Sequence, residues 1–234
     1  MRHWRAPFDR QGYHHGNLKE ALIEAAQRFI AERGLGGFTL ADAAKLVGVT
    51  PAALYRHFRG RDALVAEVAF RGFGQLAERL GRALSSDGTP LERFTRMGEA
   101  YLAFAEQEPG FYAAMFSPLP AVEAESCGPP WARGPKGQES KSQENKGTEA
   151  PSSGSAFDFL VQALSETFPD GFKDVDVRFI AIEVWALSHG IATLDAAGQL
   201  PRGPGLPDKY ELLRAGVLAL VHGALQRRQP SGEK

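Results

Sequence analysis

Between Thr39 and Thr50 the chain writes a helix start, a stop and a second start within twelve residues. Thr39, with Asp42 three positions on, has the spacing of a capping box, Gly48 is a stop residue, and Thr50-Pro51 caps a further helix with proline in its first position. Helices this short are unstable alone, so they must share a core with their neighbours. A tight turn between two such helices fits a helix-turn-helix. Leu40, Ala44, Val47, Val49, Leu54 and Phe58 supply its small core, with Ala44 letting the helices approach closely. Thr50, Ala52, Ala53, Tyr55, Arg56 and His57 are left to face outward.

That outward set contains no acid. From Ala43 to Arg61 the charged side chains are Lys45, Arg56, Arg59 and Arg61, with His57 beside them. Over the whole chain the formal charge is only -1, but residues 1–82 hold 13 Lys/Arg against 8 Asp/Glu, while the remainder is acidic by six. An acid-free surface in a basic front suits phosphate, and a second helix of this motif lies in the DNA major groove.

The remaining ordered segments carry helical periodicity, and no run alternates as a strand does. The fold expected is all-α: an amino-terminal three-helix DNA-binding domain over residues 1–60, and a second helical domain over 61–228. Asn17 caps the first helix, Gly34 ends it, and a long helix from Arg61 carries Leu64, Val68, Phe70, Phe73, Leu76 and Leu80 on its apolar side. Further helices are expected near 90–107, 109–117, 155–168, 174–198 and 207–227. Residues 119–154 are rich in Pro, Gly, Ser, Gln, Lys and Glu and read as a disordered insertion, and 229–234 as a disordered tail.

No signal-peptide pattern opens the chain, and the single cysteine, Cys127, has no internal partner, so a reducing cytoplasmic setting is expected. No apolar run approaches the roughly 20 residues a membrane helix needs, and no membrane partner is expected. The enzyme motifs HExxH, paired CxxC, GxSxG and GxxxxGK[ST] are absent, so no catalytic residue, metal or cofactor is assigned. "GLGG" at 34–37 is a helix stop rather than a nucleotide loop.

The stretch "FTLADAAKLVGVTPAALYRHFRGRDALVAEV" resembles the DNA-binding domain of the TetR family of bacterial regulators, as does the opening "YHHGNLKEALIEAA". The resemblance implies that Thr39, Tyr55, His57 and Arg61 contact the DNA backbone, with Thr50, Ala52, Ala53 and Arg56 nearest the base edges and Lys45 in the same surface. Arg61 stands where Lys is usual, and the paired alanines replace more polar residues.

"VWALSHGIATL", residues 184–194, resembles the Trp…His-Gly signature of one subgroup of the family's second domain. His189, one turn from Trp185, reads as a core residue packed on the indole. Phe94, Tyr101, Phe104, Phe111, Tyr112 and Phe116, with Trp185 and His189, form the candidate lining of a mostly apolar effector site.

The reading is a ligand-responsive repressor that binds a near-palindromic operator as a homodimer. Its dimer surface is 174–198 with 207–227, through Ile180, Val184, Leu187 and Ile191 and through Leu212, Val217, Leu220 and Leu225. The alternative is a helical dimer that binds small molecules or partner proteins without reading DNA.

Overall fold

A computed structural model describes residues 18–117, 155–169 and 176–226. The Asn17 cap, Cys127, the expected disordered insertion and the expected tail lie outside these residues. Nine helices and one 3-10 turn, Leu35–Gly37, make up the described chain, with no strand among the described residues. The front consists of α1 (Leu18–Arg33), α2 (Leu40–Val47) and α3 (Pro51–Tyr55). Behind it come α4 (Arg61–Leu84), α5 (Pro90–Gln107), α6 (Pro109–Met115), α7 (Ala156–Thr167), α8 (Val177–Ala196) and α9 (Lys209–Gln226).

Local signals set most of these boundaries. Capping boxes form at Thr39–Asp42, Thr89–Glu92 and Ser155–Asp158, so each helix start satisfies amide protons that have no partner within the helix. Gly48 takes the left-handed conformation, φ 78° and ψ 28°, which closes α2 and turns the chain into α3.

Two hydrophobic cores form, and α4 serves both. Leu64, Val65, Val68 and Ala69 join Leu22, Ile30, Ala44, Leu54 and Phe58 in the front core. Farther along, Phe73, Leu76, Leu80 and Leu84 join the larger core of α5, α7, α8 and α9. Phe70, expected on the apolar side of α4, is instead half exposed, because it lies nearly opposite Val68 around the helix.

The short α6 lies between the two cores. Ala114 is fully buried in the front core, whereas Tyr112 and Met115 belong to the rear one. At its start, Gly110 packs so closely on α1 that a Cβ there would sit 2.1 Å from the Gln27 carbonyl oxygen. Arg79 of α4 fixes the α5–α6 corner, donating to Gln107 and Glu108 at 2.9 Å each while its guanidinium covers the Phe104 ring at 5.1 Å. At the other end, Lys209 ties the start of α9 to Asp195 on α8 (2.9 Å) and Glu106 on α5 (2.8 Å), and Arg202 adds a second ion pair to Asp195.

By length and composition α8 is apolar enough to cross a membrane, although Arg178, Glu183 and Asp195 interrupt its apolar run. Part of that apolar character belongs to the core. Ile180, Val184 and Ile191, expected on the dimer surface, are buried within their own chain. The large apolar side chains that α8 and α9 leave exposed are Phe179, Ile182, Leu194 and Leu218.

Candidate nucleic-acid interface and ligand cavity

The caps that start α2 and α3 also shape the outer surface of the front. Thr39 Oγ1 accepts from the Asp42 amide at 3.2 Å, and Asp42 accepts from the Thr39 amide at 2.9 Å and its hydroxyl at 2.7 Å. These bonds to Thr39 hold the Asp42 carboxyl below its usual range, and they commit the acid nearest the surface to the cap. Thr50 Oγ1 accepts from the Ala53 amide at 3.3 Å. Both threonines therefore have a structural task before any contact with DNA.

Leu54 and Phe58 anchor α3 to the front core at 1% and 4% exposure, which forces the residues between and before them outward. Thr39, Lys45, Thr50, Ala52, Tyr55, Arg56 and His57 are all exposed, and so is Arg59, a cation not assigned to the site from sequence. Ala53 is half-buried. Tyr55 shows 58% of its surface, unusual for an aromatic on so small a domain. Among the described residues, no ion pair engages Lys45, Arg56 or Arg59.

Arg61 differs from these. Its guanidinium donates to the Leu35 carbonyl, stacks over Phe38 at 5.1 Å and meets Asp62 at 3.5 Å. Phe38 lies parallel to Phe29, and the Arg33 guanidinium stands over the Phe29 ring at 4.9 Å. In this structure Arg61 joins the start of α4 to the turn after α1, a role that an arginine's planar head fits better than a lysine's ammonium.

The rear domain holds a cavity of about 270 Å³ between α4, α5, α7, α8 and α9. Phe94, Tyr101 and Trp185 line it, as do Leu76, Met97, Phe157 and Leu213, none of them singled out for the site from sequence. Glu99 and Arg214 also line it and pair with each other at 3.3 Å, both well exposed.

The other expected lining residues lie elsewhere. Phe104 is fully buried beneath Arg79. Phe111 packs against both cores, and Tyr112, Phe116 and His189 form an aromatic group at α6: Phe116 and His189 are 4.2 Å apart, Tyr112 and Phe116 are 5.0 Å apart, and the Tyr112 hydroxyl is 2.7 Å from His189 Nδ1. His189 is thus a satisfied interior residue packed on Phe116 and Tyr112, while Trp185 packs on Phe157 at 5.5 Å. Burial lowers the His189 pKa and raises those of Tyr101 and Tyr112.

Residues 22–68 match the family model for bacterial regulatory proteins of the tetR family, and residues 94–220 match the tetracyclin repressor-like carboxy-terminal domain. The chain belongs to the TetR family. The match does not extend to the Trp-His-Gly subgroup expected from residues 184–194. Among TetR-like relatives, the HTH-type transcriptional regulator YobS of Bacillus subtilis is 30% identical over 102 residues, covering 42% of this chain and 51% of that protein. The nucleoid occlusion factor SlmA of Vibrio campbellii is 35% identical over 100 residues, covering 40% of this chain and 48% of that protein. The chain thus spans about half the length of the curated relatives it matches. A solved protein of unknown function from Rhodococcus sp. RHA1 is similar over nearly its whole length, with TM-score 0.65, 29% identity, and coverage of 91% of this chain and 98% of that one.

Proposed function

We propose that this chain is a TetR-type transcriptional regulator that binds a near-palindromic operator as a homodimer and releases it when a mostly apolar small molecule enters the rear cavity. The observation that carries the reading is the acid-free outward surface of α3 and the turn after it, where Tyr55, Arg56 and His57 stand exposed beside Lys45 and Arg59. Backbone contacts from Thr39, Tyr55, His57, Lys45 and Arg59 would fix register. Arg56, Thr50 and the alanine methyls are the groups placed to read bases.

Phe179 and Ile182 on α8 and Leu218 on α9 supply the apolar surface for a second copy, which buried Ile180, Val184 and Ile191 do not. Beside them the two helices leave a groove floored by Ala186, Gly216, Ala219 and Gly223, small residues that allow close helix approach. A two-fold dimer places its two recognition helices on half-sites of one palindrome.

Selection of bound sequences from a random duplex pool tests the reading. Enrichment of an inverted repeat is expected, and recovery of no sequence preference would favour a helical dimer that does not read DNA. In the same assay Ile182→Asp is expected to yield monomers by sedimentation and to abolish the inverted repeat. A dimeric Ile182→Asp protein would move the interface elsewhere.

A further inference from the structure

The outward side of α3 has a centre that its anchor locates. Leu54, 1% exposed, fixes the inner side, and the exposed Ala52 lies about 200° around the helix from it. Arg56 keeps helical backbone angles, φ −70° and ψ −25°, so it lies one turn beyond Ala52 and only about 40° around from it. Tyr55 stands about 60° to one flank, and the half-buried Ala53 lies on the other. The middle of this surface is therefore a methyl group followed by a guanidinium.

The residues before that methyl add little polarity. Thr50 Oγ1 already accepts from the Ala53 amide at 3.3 Å, and Pro51, also exposed, has no amide proton to give. A side chain as short as Ala52 at the centre also lets the helix backbone come close to what it faces. A base edge under Ala52 is thus covered by carbon.

Carbon cover decides which base fits there. Polar edge atoms that lose water without gaining a partner cost free energy. Among the groups that the four base pairs show in the major groove, the thymine 5-methyl is the one that favours carbon over water. Arg56 needs the opposite, a pair of acceptors such as guanine N7 and O6. The helical rise separates the two residues by about 6 Å along α3, which is about two base-pair steps of about 3.4 Å each.

We infer that Ala52 reads a 5-methylpyrimidine in each operator half-site, through the methyl rather than through the hydrogen-bonding edge, about two steps from the guanine held by Arg56. This rests on the DNA-binding reading above and adds to it the chemical group that the operator must carry. Ala52 is then a specificity-determining residue although its side chain forms no hydrogen bond.

The test uses the operator selected from the random pool, resynthesised with four pairs in turn at each thymine of the half-site: thymine–adenine, uracil–adenine, 5-methylcytosine–guanine and cytosine–guanine. One position near the Arg56 guanine is expected at which uracil weakens binding of the full chain about fourfold, equivalent to the about 0.8 kcal/mol of one buried methyl. At that position cytosine should be weaker than 5-methylcytosine by the same factor, because the methyl is the group read. Ala52→Gly withdraws the protein's own methyl, so both ratios should fall towards one. Ala52→Ser, which disturbs α3 less and presents a hydroxyl at the same place, should lower both ratios too, with melting temperatures checking that each variant is folded. A half-site without thymine, or one that tolerates uracil throughout, overturns the inference while leaving the DNA-binding reading standing. So does a uracil penalty with no matching gain from 5-methylcytosine, or one that survives both substitutions. If the pool yields no inverted repeat, the DNA-binding reading falls and this inference with it.

Discussion

The front domain keeps its polar groups at its surface over a mostly aliphatic core, whereas the rear domain gathers the hydroxyls of Tyr101 and Tyr112 around His189 beside a cavity. The first arrangement holds a short helix on its core and leaves its polar side chains exposed. The second places polar groups inside, where they meet one another rather than water. One chain thus presents its chemistry in two ways, one by exposure and one by enclosure.

The largest effect that would sharpen this contrast is expected at Phe104. The ring is fully buried, and Arg79 covers it while gripping the α5–α6 corner. Phe104→Ala should cost about 3–5 kcal/mol in chemical denaturation, as truncating a buried aromatic does. A loss under about 1 kcal/mol would mean that the rear core is loose enough to refill the space.

Next come the two arginines of the front, which the structure separates. Arg56→Ala should relax base preference at one operator position at a cost of about 1–3 kcal/mol. Arg61→Lys keeps the charge but loses the planar stack on Phe38, so it should lower the melting temperature and weaken all DNA sequences alike. If Arg61→Lys changes neither quantity, Arg61 acts as a simple phosphate contact and the packing against Phe38 is incidental.

The smallest effect separates the domains by pH. Burial keeps His189 below the ordinary imidazole range, so the unfolded chain takes up a proton that the folded chain resists. Its contribution is fully present above the unfolded imidazole pKa and is lost as pH falls toward the folded value. Melting temperatures at about pH 7.5 and about pH 5.5 should differ less in His189→Asn than in the natural chain. An equal pH dependence in the two proteins would place the acid sensitivity elsewhere.

Legibility in the sequence followed the same division. Thr39, Gly48 and Thr50-Pro51 act on their immediate neighbours, so local chemistry alone placed α2, the turn and α3. The helices of the rear were also readable from periodicity, but which aromatics meet the cavity was not. Phe94, Tyr101 and Phe104 share one helix, yet Phe104 turns under Arg79 while Phe94 and Tyr101 face the space, and that choice depends on α4 and α8. Which residues of α8 face outward was hidden for a related reason: α8 is apolar on more than one side, so Ile180, buried, and Ile182, exposed, are alike in composition and differ only in what packs against them. Arg61 showed its charge in the sequence and hid its partner, a backbone carbonyl 26 residues earlier.

The close approach at Gly110 bears on how such a protein can be recombined with its relatives. A hybrid made by exchanging residues 1–60 would retain α6 from one parent and receive α1 from the other, so Gly110 and Ala114 would press on a foreign helix surface with no room for a single extra methyl at the Gln27 carbonyl. The natural seam for grafting therefore runs lengthwise along α6, not across the chain at the end of α3. A transplant that carries α1 together with residues 109–115 should keep its fold, whereas one cut at residue 60 inherits a mismatch where α6 meets α1.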